Sequence, residues 1–116
     1  MQVLVESKNF DVSPALRKHA EEQAAKIFRL TDHVLAIRVY LESIEKKTND
    51  PAANHVKVVV EIPGNDISID KQAVDMYEAV GKAFEVAQRH VRKHLEKIQT
   101  KRRKSHREAV SDGEVL

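Results

Sequence analysis

HVKVVVEIPGNDISID, residues 55–70, is the stretch whose reading decides the fold. Val56, Val58, Val60 and Ile62 recur at the two-residue period of a strand with one buried face. Pro63-Gly64 fits the central pair of a type II turn, where proline presets the first φ and glycine accepts the positive one. Ile67 and Ile69 then resume the alternation. Two strands joined by so short a turn must lie antiparallel, so the domain is built on a sheet that is at least partly antiparallel.

Working outward, Leu35, Ile37, Val39 and Leu41 alternate with Ala36, Arg38 and Tyr40 and make the strand before it. The connection, SIEKKTNDPAAN at 43–54, is long for a hairpin and carries Asn49-Asp50-Pro51, so it is the expected mobile or insertion-tolerant segment. Gln2 to Glu6 alternates as well, with Val3 and Val5 on one side, and ends before a loop at Lys8-Asn9. Ser13-Pro14 supplies a capping hydroxyl and a proline at the first helical position; Leu16, Ala20, Gln23, Ala24 and Ile27 follow at helical spacing, which predicts a helix to about Leu30.

A second helix opens at Asp75, a cap with Glu78 three residues on, and is expected to continue past Lys101. Met76, Val80, Ala83, Phe84, Ala87, Val91, Leu95 and Ile98 share one side, with Lys82, Arg89, Lys93 and Lys97 nearly opposite. About thirty helical residues span roughly 45 Å, more than a domain of this size is wide, so the last turns should project or fray. The predicted order is β-α-β-β-β-α, an α+β fold: a four-stranded, mostly antiparallel sheet with two helices packed on one face. The other face, with Arg38, Tyr40, His55, Lys57 and Ser68, is expected to be open to water or a partner.

The chain has 116 residues, 41% of them apolar, enough for one modest core. It lacks cysteine, so neither disulfides nor thiolate metal sites are available. MQVLVESKNF has no signal-peptide pattern and no apolar run approaches the ~20 residues of a membrane span, so the expectation is a soluble cytoplasmic protein. Net charge is only +2, yet residues 82–107 hold ten Lys and Arg against two Asp and Glu, and residues 108–116 hold three acids and no base. Such segregation points to an anionic partner, against the plainer reading of a solvated basic tail.

A catalytic site is not in view: there is no glycine-rich phosphate loop, no G-x-S-x-G and no cysteine nucleophile, so the chain is not read as an enzyme and no cofactor is called for. His90 and His94 share a helical face, but HVRKH lacks the glutamate of H-E-x-x-H and no third ligand follows, so they read as polar edge residues and no metal is expected. Asp75-Met76-Tyr77 reads as a cap, a core residue and a packed aromatic; any further role for Tyr77 would be stacking on a base. A coiled coil is disfavoured because the apolar stripe is broad and needed by the sheet. QTKRRKSHR, residues 99–107, has none of the bulky apolar residues of a membrane-surface helix, and no dimeric recognition helix for DNA is evident. RNA remains, with Lys18, Lys26 and Arg29 of the first helix placed to extend the basic face of the second.

The residues at this point resemble the ribosome hibernation promoting factor family, which includes ribosome-associated inhibitor A (protein Y) and related sigma-factor modulation proteins. The resemblance covers about residues 1–100. It rests on Val12-Ser13-Pro14-Ala15-Leu16-Arg17, on Asp75-Met76-Tyr77-Glu78-Ala79-Val80, and on Arg89-His90-Val91-Arg92-Lys93-His94 with Lys97. It implies a ribosome-binding domain over 1–100, followed by a basic, then mildly acidic, flexible tail over 101–116. The implied function is translation inhibition under stress by occupancy of the small subunit's ribosomal RNA, in the decoding channel for messenger and transfer RNA. Its implied contacts are Arg17, Lys18, Lys26, Arg29, Lys82, Arg89, Arg92, Lys93, Lys97 and Lys101. Gln23 and Val86 stand where the family has lysines. The chain lacks the length for the dimerising C-terminal domain of long members, so it is expected to be a short form, monomeric off the ribosome. Its tail matches neither short subtype closely; the lean is toward the type that assists ribosome dimers. The alternative function is a protein-interaction regulator docking through the open sheet face or the 43–54 loop.

Overall fold

A computed structural model describes the backbone of residues 2–44 and 52–115, and side chains in those ranges as far as residue 98. The elements follow in the order β1 (Gln2–Lys8), α1 (Pro14–Phe28), β2 (Ala36–Ser43), β3 (Asn54–Glu61), β4 (Ile67–Ala73) and α2 (Met76–Val115). The sheet order is β1-β2-β3-β4, with β1 parallel to β2 and the other two pairs antiparallel.

Most of the residues that nominated each element also build it; Leu35 does not, since it precedes β2 and is exposed. Asn65 N–H donates to the Ile62 carbonyl at 3.0 Å, closing the turn around Pro63-Gly64, and Gly64 takes φ +83°, the positive value that a type II turn requires. Asn9, in the loop after β1, sits at φ 72°, a conformation that asparagine tolerates better than most residues. Ser13 caps α1 by accepting from Leu16 N–H at 3.1 Å, and Asp75 caps α2 by accepting from Glu78 N–H at 3.2 Å.

Sequence and structure part at the element ends. β2 and β3 run on to Ser43 and from Asn54, and β4 continues through Asp70, Lys71 and Gln72, because backbone pairing continues after apolar alternation stops. Helix α1 ends at Phe28, with Arg29 as its cap, about two residues earlier than the apolar spacing suggested. The backbone of α2 stays helical to Val115, well beyond Ile98 where the apolar stripe ends.

The core lies between the sheet and the helices. Ile37, Val39, Leu41, Val56, Val58 and Val60 present one side of the sheet and are essentially inaccessible. Against them α1 sets Leu16, Ala20, Ala24, Ile27 and Phe28, and α2 sets Met76, Ala79, Val80, Ala83, Phe84, Ala87 and Val91. Five of these are alanines, which bring both helices close to the sheet, and Phe84, at 0% exposure, fills the middle. Helix α2 covers β3 and β4, α1 packs on β1, and the helices touch.

Since β1 is parallel to β2 and two antiparallel steps lead on to β4, β1 and β4 point the same way. Helices α1 and α2 follow them, and therefore leave the same end of the sheet and run side by side in the same sense. No helix among the described residues is long and apolar enough to cross a membrane.

Candidate nucleic-acid interface

The axial register of the two helices is set by His19 on α1 and Tyr77 on α2, whose rings lie 5.3 Å apart, centroid to centroid, at 49°. This contact also says which side of each helix faces the other. Starting from buried Val80, Ala87 and Val91 and turning toward Tyr77, the surface of α2 passes through half-buried Gly81 and Gln88 and then exposed Arg92. On α1 the corresponding side carries His19, Gln23, Lys26 and Leu30. The seam between the helices is thus polar along its upper walls.

Nine of the ten basic residues nominated from sequence have described side chains, and all nine are exposed; Lys101 lies outside the described side chains. The structure divides them by direction. Lys26 and Arg92 border the seam, roughly 12 Å apart along the helix axis. Lys18, Arg29, Lys82 and Arg89 stand on the outward crests. Arg17 lies on the flank of α1 away from α2, while Lys93 and Lys97 turn toward the side of α2 away from α1. The cations therefore span the whole helical layer, with Arg17 and Lys97 on opposite flanks.

Two of the nine are held by acids one turn away: Lys18 Nζ is 4.0 Å from Glu22, and Lys82 Nζ is 3.2 Å from Glu78. Both pairs are open to solvent, where such contacts contribute about 0–1 kcal/mol. Among the described residues Arg17, Lys26, Arg29, Arg89, Arg92, Lys93 and Lys97 enter no ion pair, leaving their charge available. The segment of α2 from Arg89 to Ile98 contains four of the cations and one acid, Glu96, so among the described side chains positive charge is densest there.

The opposite face of the sheet is built differently. Arg38 is ion-paired with Glu61 and Lys8 with Glu42, the latter at 3.5 Å. The Tyr40 side chain hydrogen-bonds the Arg38 guanidinium, and with Glu61 beside it this raises the arginine's proton affinity above its ordinary value. Glu6, Tyr40, Lys57 and Asp70 stand in one cross-strand row. They line a groove of about 390 Å³ together with residues including Lys8, Glu42 and His55. On this face, charge meets opposite charge.

Helical periodicity found the cations, but it did not single out the seam. His19, Gly81 and Gln88 fall between the apolar and basic stripes, and only the pairing of the helices shows that they meet. His90 and His94 share a face of α2, and among the described residues no cluster of three potential metal ligands forms.

With this geometry in place, comparisons with known proteins are specific. The family model described as Sigma 54 modulation protein / S30EA ribosomal protein matches residues 3–99. A ribosome hibernation promotion factor of Deinococcus radiodurans is 33% identical over 86 residues, covering 74% of this chain and 44% of that protein. One from Bacillus subtilis is 32% identical over 103 residues, 87% of this chain and 52% of its own length. A ribosome hibernation promoting factor of Azotobacter vinelandii is 29% identical and is matched over 97% of its length and 96% of this chain. The chain thus spans about half of the first and second of these relatives and nearly all of the third. In fold it is similar to a ribosomal subunit interface protein from Coxiella burnetii, with TM-score 0.69 at 23% identity over 82% of this chain and 98% of that one. The N-terminal domain of Thermus thermophilus Protein Y gives 0.68 at 20%, over 81% and 99% respectively.

Proposed function

The chain belongs to the Sigma 54 modulation protein / S30EA ribosomal protein family, and from that premise we propose that it is a ribosome hibernation factor which inhibits translation without catalysing a reaction. In this reading the helical layer binds small-subunit ribosomal RNA in the channel used by messenger and transfer RNA, under stress, in the cytoplasm. The contacts are those of Arg17, Lys18, Lys26, Arg29, Lys82, Arg89, Arg92, Lys93 and Lys97, with Lys101 and the rest of the basic 101–107 run adding affinity. The protein acts as a monomer off the ribosome and favours ribosome dimers on it.

The observation that carries the reading is the contrast between the two faces. On the sheet, Lys8 and Arg38 are paired with carboxylates, whereas seven of the nine helical cations form no ion pair among the described residues and are left for an external anion. Phosphate is the anion that an extended, shape-matched array of Arg and Lys suits best. Binding to purified small subunits at increasing salt tests it: affinity should fall on the order of a thousandfold from ~50 to ~200 mM salt. Salt-independent binding contradicts it.

The groove of about 390 Å³ on the open sheet face favours a second reading, in which that face docks a regulatory protein. The other surface considered for this role, the 43–54 loop, has residues 45–51 outside the described structure. Capture of the same partner from lysate with and without nuclease separates the two, since a protein partner survives loss of RNA.

A further inference from the structure

We infer that an RNA strand seats its sugar-phosphate backbone in the seam between α1 and α2, with its closest approach at Gly81. The inference rests on the RNA-binding reading above and specifies where within the helical layer the chain of phosphates runs.

Gly81 is the sixth residue of α2, a position where glycine is a poor choice because its backbone loses the most freedom in a helix. Close internal packing does not explain it: a β-carbon placed there meets no heavy atom within 4 Å. Alanine would fit the fold and strengthen the helix. A bare α-carbon at a half-buried point on the surface is instead what a strand approaching from outside requires.

A second, separate observation lies one turn away. His19 Nε2 is shut off from solvent with no hydrogen-bond partner, on the ring that lies against Tyr77, and Tyr77 precedes Gly81 by four residues on the same side of α2. An unpaired imidazole nitrogen so well covered is costly, and an occupant offering hydroxyl or phosphate oxygens would relieve it once the His19 and Tyr77 rings part to admit it. The seam is suited to RNA more than to an apolar peptide. Gln23 offers an amide level with the glycine and Gln88 another about two turns further along, Lys26 and Arg92 supply charge, and the exposed ring of Tyr77 is placed to stack on a base.

The test compares the full chain with Gly81→Ala and Gly81→Leu for binding to purified small ribosomal subunits and for thermal unfolding. Gly81→Ala should raise the melting temperature by roughly 4 °C. It should nevertheless weaken binding by about tenfold, with Gly81→Leu weakening it further. Unchanged binding by Gly81→Ala overturns the inference, as does a lowered melting temperature, since the fold itself would then need the glycine. Arg89→Glu/Lys93→Glu, measured alongside, separates the causes. If it binds less well while Gly81→Ala binds normally, only the seam is wrong; if it too binds normally, the RNA reading falls with it.

Discussion

The amide nitrogen of Asn54, at the start of β3, donates to the backbone carbonyls of both Ala73 and Val74. One side chain thereby ties the far end of the long β2–β3 connection to the last residue of β4 and the residue before the α2 cap. Asp75 follows at once and accepts from Glu78 N–H. The base of the basic helix is thus held by two short polar side chains in succession, neither of which touches the cations that the helix displays.

Removing either hold should cost stability. Asp75→Ala removes the cap and is expected to lower unfolding free energy by about 1 kcal/mol. Asn54→Ala leaves two strand-end carbonyls without their donor and is expected to cost about 1–2 kcal/mol. Denaturant titration of both variants checks this; midpoints equal to that of the unaltered protein would show that the junction is held by core packing alone.

Charge reversal on the helical layer should do the opposite. Arg89→Glu/Arg92→Glu/Lys93→Glu alters three exposed side chains that form no described ion pair, so thermal stability should change by no more than a few degrees. Cosedimentation with small subunits should be lost. A variant that unfolds would instead reveal a structural role for these residues.

The sheet's open face should be indifferent to RNA. Arg38→Ala removes the partner of Glu61 and of the Tyr40 side chain on the side opposite the helices. Affinity for small subunits should stay within about twofold of the unaltered protein, as expected for a residue remote from the interface. Weakening as large as that from reversal at Arg89 would move the interface to the sheet and favour the protein-docking reading.

Much of this architecture is written in short-range patterns. Val56, Val58 and Val60 announce a strand by period, Pro63-Gly64 announces its turn, and Asp75 with Glu78 marks where α2 begins, because each signal lies within a few residues. What escapes the sequence is set by pairing. Asp70, Lys71 and Gln72 carry no strand pattern, yet β3 extends β4 through them. The backbone of α2 passes Ile98 without an apolar stripe, through a run rich in Lys and Arg, both good helix formers that need no core to favour a helix. The cations of the candidate site were legible as a charged face. Their division between seam, crest and flanks was not, because it depends on His19 meeting Tyr77 across 58 positions of sequence.

The firmly held base of α2 also makes the helix a lever. Ile98 lies ~33 Å along the axis from Met76, so a swing of about 10° at the junction displaces it by about 6 Å. That is more than a hydrogen bond or a phosphate contact can tolerate. The aim of Arg92, Lys93 and Lys97 is therefore set by Asn54 and Asp75 at the far end of the arm together with the buried contacts of Val80, Phe84, Ala87 and Val91 along it. A substitution near Asn54 or Asp75 can disarm the interface while leaving every contact residue in place.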